Sequence, residues 1–162
     1  NGFLENWGGK GSTLSAVWPP ADAEGVAFEI DYGWKWGSEV RLVFGAPDTD
    51  WRFALEFAPQ PGERKYRASW VRGDSVWDAP PIPAPDVKDL GSHAGGGDDN
   101  GFAARLTVQF ETGPARVLLH RDGERLAELI PPTRFVPHWF TATDRGEYWR
   151  VFSLAVRRRS AD

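Results

Sequence analysis

Residues 102–131 read FAARLTVQFETGPARVLLHRDGERLAELIP, and the order of polar and apolar side chains in this stretch decides the fold class. Ala104, Leu106, Val108 and Phe110 alternate with Arg105, Thr107, Gln109 and Glu111, the period of two that marks a strand with one buried face. Ala115–Arg121 and Glu124–Ile130 then flank Asp122-Gly123. Both central residues of a two-residue type I′ turn take positive φ, which Asp-Gly tolerates, so this pair predicts a β-hairpin. Pro131-Pro132 brings no backbone donors and ends the second strand.

The same alternation recurs on either side. Trp51, Phe53, Leu55 and Phe57 alternate with Arg52, Ala54 and Glu56, while Phe28, Ile30, Tyr32, Trp34 and Trp36 share one parity opposite Glu29, Asp31 and Lys35. Val40–Phe44 and Tyr66–Val71 add two short strands, and residues 148–157 a last one whose mixed pattern suggests burial on both faces. A helical period of 3.6 with caps appears nowhere. At least seven short strands separated by Gly/Pro turns predict an all-β, antiparallel β-sandwich. Two stretches break the rhythm. Residues 72–101 are dense in Pro, Gly and Asp and read as one long loop, stiff over Pro80–Pro85 and mobile over Gly95–Gly97. Residues 133–147 read as a shorter irregular stretch carrying His138, Trp139 and Phe140. Without an internal repeat or a second periodic block, residues 1–162 are expected to form a single domain.

Composition narrows the function classes. A chain of 162 residues buries roughly 68–70% of its unfolded surface and needs no staple to fold. It has no Cys, which excludes disulfides, zinc-thiolate sites, iron–sulfur clusters and cysteine nucleophiles. A net charge of −4 argues against non-specific nucleic-acid binding. No apolar run approaches the ~20 residues of a helical membrane span. Asn1 and the absence of Met lead us to expect a processed chain or an excised domain.

The strand FAARLTVQF followed by the hairpin ARVLLHRDGERLAELI, closed by the C-terminal strand YWRVFSLAVRR, resembles the concanavalin A-like lectin/glucanase superfamily. That group includes laminin-G-like, laminarinase-type and 3-keto-disaccharide hydrolase-like jelly rolls. The resemblance implies a jelly-roll sandwich and a sugar as ligand. Laminarinase-type hydrolases carry their carboxylates in a Glu-x-Asp-x-x-Glu strand, of which this chain has Glu29-Ile30-Asp31 but Trp34 where the second Glu belongs. Retaining hydrolysis needs two carboxyl groups about 5–5.5 Å apart. No catalytic residue is therefore assigned, and Glu29 and Asp31, with Glu56 or His120, are kept as the alternative for a glycan-cleaving hydrolase or lyase.

Nine Trp in one small domain is well above ordinary usage. An indole face attracts the apolar C–H face of a sugar ring, provided it stands outside the core. Phe28, Ile30, Trp51, Phe53, Phe57, Phe110 and Phe152 lie on clean apolar parities and are expected in the core. Trp34 and Trp36 lie beyond the core of their strand between Gly33 and Gly37, Trp77 in the long loop, Trp139 in the irregular stretch and Trp149 on the polar parity of the last strand. These five are the expected ligand-binding aromatics. Outward-facing Arg52, Arg67, Arg105 and Gln109 are expected beside them as hydroxyl partners or as cations for an acidic sugar, from a polar set that also holds Arg41, Glu56, Arg116 and His120. No cofactor is assigned; Asp98, Asp99 and Asn100 offer the oxygen donors that Ca²⁺ takes and are kept as the alternative to a plain acidic turn, although no Asp-x-Asp-x-Asp-Gly loop surrounds them. Arg72-Gly73-Asp74 matches a tripeptide read by integrins, a match three residues make readily by chance.

The sequence thus predicts a carbohydrate-binding module for a poly- or oligosaccharide, belonging to or working beside a larger secreted enzyme, and hence extracellular or periplasmic. The alternatives are a glycan-cleaving enzyme on the same fold and a protein-interaction or structural domain contacting its partner through the 72–101 loop.

Overall fold

The computed structural model describes residues 13–17, 25–34, 40–57, 65–78, 82–83, 104–144 and 149–159. Every regular element among them is a strand. They are β1 (Thr13–Val17), β2 (Gly25–Trp34), β3 (Val40–Gly45), β4 (Arg52–Phe57), β5 (Lys65–Arg72), β6 (Ser75–Asp78), β7 (Ile82–Pro83), β8 (Ala104–Thr112), β9 (Ala115–Arg121), β10 (Glu124–Leu129), β11 (Trp139–Asp144) and β12 (Trp149–Arg159). They form two antiparallel sheets: a seven-stranded one in the order β1-β11-β3-β4-β5-β6 with β7 also on β5, and a five-stranded one in the order β10-β9-β8-β2-β12. Among the described residues no helix is long and apolar enough to cross a membrane.

Alternation places the apolar parity of each sheet against the other. Phe28 and Phe110 of the five-stranded sheet meet Phe44, Phe53 and Phe140 of the seven-stranded one, and each of these rings is at most 1% exposed. Phe28 lies 4.8 Å from Phe44 and 5.6 Å from Phe140, and Phe110 lies 5.2 Å from Phe44. Such edge-on and tilted pairs add about 0.5–1.5 kcal/mol each beyond the area they bury. Phe135, from the connection between β10 and β11, fits between Trp70 at 5.0 Å and Phe110 at 5.6 Å and closes one side of the core.

The Asp122-Gly123 hairpin forms as its sequence predicts, with φ of 49° and 84° at the two turn residues. The Asp122 amide donates to the Arg105 carbonyl, and the Arg105 amide donates to Asp122 Oδ1, both at 2.9 Å. The turn is thereby tied to the neighbouring β8.

Three expectations change. The stretch 72–101 is not loop from its start: the chain turns at Gly73, with φ of 55°, and returns as β6, with β7 following. A two-residue type II′ turn reserves its first position for such a residue. The irregular stretch 133–147 contains β11, which inserts between β1 and β3. Finally, a bulge between Val151 and Ser153 shifts the β12 register by one residue, so that Trp149 pairs with Trp34 in line with Ile30 and Phe28. Counting parity from the far end of the strand assigns Trp149 to the opposite row, because a bulge inserts one unpaired residue.

Candidate functional site

Four strand ends converge at one end of the seven-stranded sheet. β3 finishes at Gly45, β4 begins at Arg52, β5 finishes at Arg72 and β11 begins at Trp139. The register sets Trp139, Gly45, Arg52 and Val71 side by side in one row across β11, β3, β4 and β5. Strands are about 4.8 Å apart, so Trp139 and Arg52 start about 10 Å from each other with Gly45 between them. The indole closes that gap by lying across Gly45, where a Cβ would collide with its Cε2 and Cζ2 atoms. The Arg52 guanidinium carbon is 5.3 Å from the centre of the Trp139 ring, within cation–π range. A hydrogen bond from the His138 amide to the Gly45 carbonyl, 2.9 Å, secures the chain as it enters β11.

A second pair stands at the same end. Trp51, one residue before β4, takes the opposite parity to Arg52 and rests half-buried against the rim of the core. The Arg72 guanidinium lies 5.2 Å from the centre of its ring. The Thr49 hydroxyl accepts a hydrogen bond from the Trp51 amide at 3.2 Å, fixing the β3–β4 turn that carries the indole. The two Arg–Trp pairs border one open hollow of about 690 Å³, whose polar lining includes Asp50 and Ser75. The hollow wraps the strand ends, with Trp139 and Arg52 on the sheet's outer face and Trp51 and Arg72 at the mouth of the sandwich.

Of the side chains singled out in the sequence, Trp139 and Arg52 are brought together here. Arg67 is on the same sheet but lies in the row of Thr143, Arg41 and Glu56, four residues or roughly 13 Å further along the strands. Its row-mates Arg41 and Glu56 form an ion pair at 3.2 Å. Arg105 and Gln109 belong to β8 of the five-stranded sheet, whose outward face looks the opposite way. Gln109 there donates to Glu111, which is 8% exposed and also accepts from Arg116. Hydrogen bonds to Glu111 and then to Glu128 raise the pKa of Arg116 above its ordinary value. This cluster is a matched polar face, and Arg52, Arg67, Arg105 and Gln109 do not share one site.

Glu29 lies on that same far face and pairs with Arg157 at 3.3 Å. Asp31 sits opposite Arg105 in the register, with its side chain outside the described residues. The backbones of Trp34, Trp77 and Trp149 are described and their side chains are not; Trp36, Asp98, Asp99 and Asn100 lie outside the described residues. Trp77 belongs to strand β6, opposite Trp70, and not to a loop. Among the described residues no group of three or more His, Cys, Asp or Glu is placed to hold a metal ion.

The sequence reading missed Trp51, Arg72 and Gly45. Trp51 shares the parity of Phe53 and so was expected inside, but its place before the first strand residue leaves its ring at the rim. Arg72 was hidden in the 72–101 stretch. A signal was available for Gly45: it ends the strand directly after the apolar run Leu42-Val43-Phe44, and there an absent side chain makes room for a ring from the next strand.

No protein-family model matches the chain, and no curated protein matches it in sequence. Solved structures do match, and the likeness shows a fold of the concanavalin A-like jelly-roll kind that the sequence resembles. The galectin LEC-6 of Caenorhabditis elegans superposes with a TM-score of 0.60 at 10% identity, covering 92% of this chain and 93% of the galectin. A legume lectin-like domain from Entamoeba histolytica gives a TM-score of 0.58 at 11% identity, over 95% of this chain and 81% of that one. The carbohydrate-binding module CBM66 from Bacillus subtilis gives 0.56 at 10% identity, over 94% and 85%. At these identities the likeness is one of fold.

Proposed function

We propose that the chain is a glycan-binding domain whose sugar occupies the hollow between the Trp139–Arg52 and Trp51–Arg72 pairs. The observation that carries this reading is the joining of two indoles and two guanidiniums around one open hollow of about 690 Å³. Small-ligand sites are concave, run to about 300–1,000 Å³ and combine aromatic walls with a few polar groups, which this lining supplies in Asp50, Thr49 and Ser75. The fold shared with galectins and CBM66 supports the same reading.

Binding without cleavage is the expected outcome. Among the described lining residues Asp50 is the only carboxylate, whereas glycoside hydrolysis ordinarily employs two. The finer reading, carried over from the sequence, is a module that serves a larger secreted enzyme acting on a polysaccharide, outside the cell or in the periplasm. Detecting the protein in cell, periplasmic and medium fractions tests the location.

The binding test is titration of tryptophan emission with neutral and acidic oligosaccharides, with and without EDTA, alongside reducing-sugar release from the same samples. A saturable shift without product supports the proposal, and loss of the shift on EDTA treatment would add Ca²⁺ to the site. Trp139→Ala should weaken binding by about 2 kcal/mol while keeping the fold, as expected for a truncated aromatic anchor. If Trp139→Ala and Arg52→Ala both bind as the parent does, the ligand lies elsewhere on the molecule.

A further inference from the structure

We infer that the sugar taken by this hollow is anionic, a saccharide bearing carboxylate or sulfate groups, and that Arg52 and Arg72 are the residues that select it. The inference rests on the glycan-binding reading of the same hollow and goes on to its charge. Arg41, Arg116, Arg125, Arg134 and Arg157 are each matched to a carboxylate of the protein: Glu56, Glu111 with Glu128, Glu128, Asp48 and Glu29 respectively. Among the described residues Arg52, Arg67 and Arg72 have no such ion pair, and of these three Arg52 and Arg72 line the hollow, each set against an indole, at 5.3 and 5.2 Å.

That placement has a chemical consequence. A guanidinium beside a ring loses rotamer freedom while its N–H donors, which lie in its own plane, still point past the ring edge. Such a fork meets a carboxylate or a sulfate through two parallel hydrogen bonds, and charge-assisted bonds of this kind are roughly twice as strong as neutral ones. Two exposed cations face one lining carboxylate, Asp50, so the lining itself is net positive on a chain whose net charge is −4; Asp48, paired with Arg134, and Asp74 stand on the flanking turns outside it. At physiological salt that distant negative charge is screened beyond about 8 Å, so the local pair decides what approaches. The forks stand on either side of the strand ends.

Matched probes separate charge from sugar. Short oligogalacturonides and their methyl esters differ in carboxylate alone, and dextran sulfate and dextran differ in sulfate alone. The parent is expected to bind the charged member of at least one pair about tenfold more tightly than its neutral counterpart, with Arg52→Ala and Arg72→Ala each weakening that binding about tenfold. The double variant should lose the preference, and Arg52→Lys, which keeps the charge and loses the fork, should fall between. Arg125→Ala, on the opposite sheet, should bind as the parent does. The pair that responds identifies the carboxylate or the sulfate as the group recognised. Equal binding of charged and neutral members, unchanged in the arginine variants, would overturn the inference and leave the glycan-binding reading standing. Binding of the charged members that survives in the double variant would place the polyanion elsewhere and also overturn it. Silence across neutral and charged saccharides alike would remove the glycan-binding reading itself.

Discussion

Gly45 has one task at the residue scale, to leave space. Its φ is not in the left-handed region, so the chain does not need glycine there for its backbone; the Trp139 ring needs the volume of the missing side chain. Gly45→Ala is therefore an overpacking change, expected to cost about 1–3 kcal/mol in the urea midpoint. It should also lift the indole away from Arg52, raising acrylamide quenching of Trp139 emission and weakening ligand binding together. A stability loss with unchanged binding would separate the ring's packing from its role in the site. The candidate site was only partly legible because residue type and parity say which side of a strand a group takes, not where along the strand the core ends. Trp51 and Trp139 show both faces of that limit. The first has core parity and reaches the rim; the second, expected in an irregular stretch, opens a strand on the outer face of its sheet.

At the scale of elements, strands with one buried face declare themselves. β2, β4 and β8 alternate cleanly, and the β9–β10 hairpin carries the turn residues its geometry demands. At Gly123, with φ of 84°, any side chain is strained, and Gly123→Ala should cost about 1–2 kcal/mol. Because this hairpin belongs to the five-stranded sheet, saccharide affinity should not change, and a urea melt beside a binding titration checks both halves. β11 escaped the reading because Trp139–Asp144 is short and enters directly from the proline-bracketed segment around Phe135. The partition of polar residues between sheets was also illegible. Arg52 and Arg105 each face outward on their strands, and nothing in either alternation tells which of the two opposite outer faces it joins.

For the whole molecule, the aromatic core is shared by both sheets and makes them one unit. Phe44 touches Phe28 and Phe110 across the sandwich and Phe53 and Phe140 within its own sheet. Phe44→Ala should therefore cost about 3–5 kcal/mol, and the emission and far-ultraviolet signals should still fall together in one transition. Separate transitions would mean that the sheets hold independently. The strand order carries a further consequence, for the time at which the domain can form. β12, residues 149–159, pairs with β2, residues 25–34, and β11 must enter between β1 and β3 before β1 has any partner in the sheet. A chain leaving the ribosome can zip its local hairpins early but must wait for residues 139–159 to complete either sheet. Closing such distant pairings places folding in the slow range of all-β domains, milliseconds to seconds. Until then the apolar flank of β2 stands open on the nascent chain.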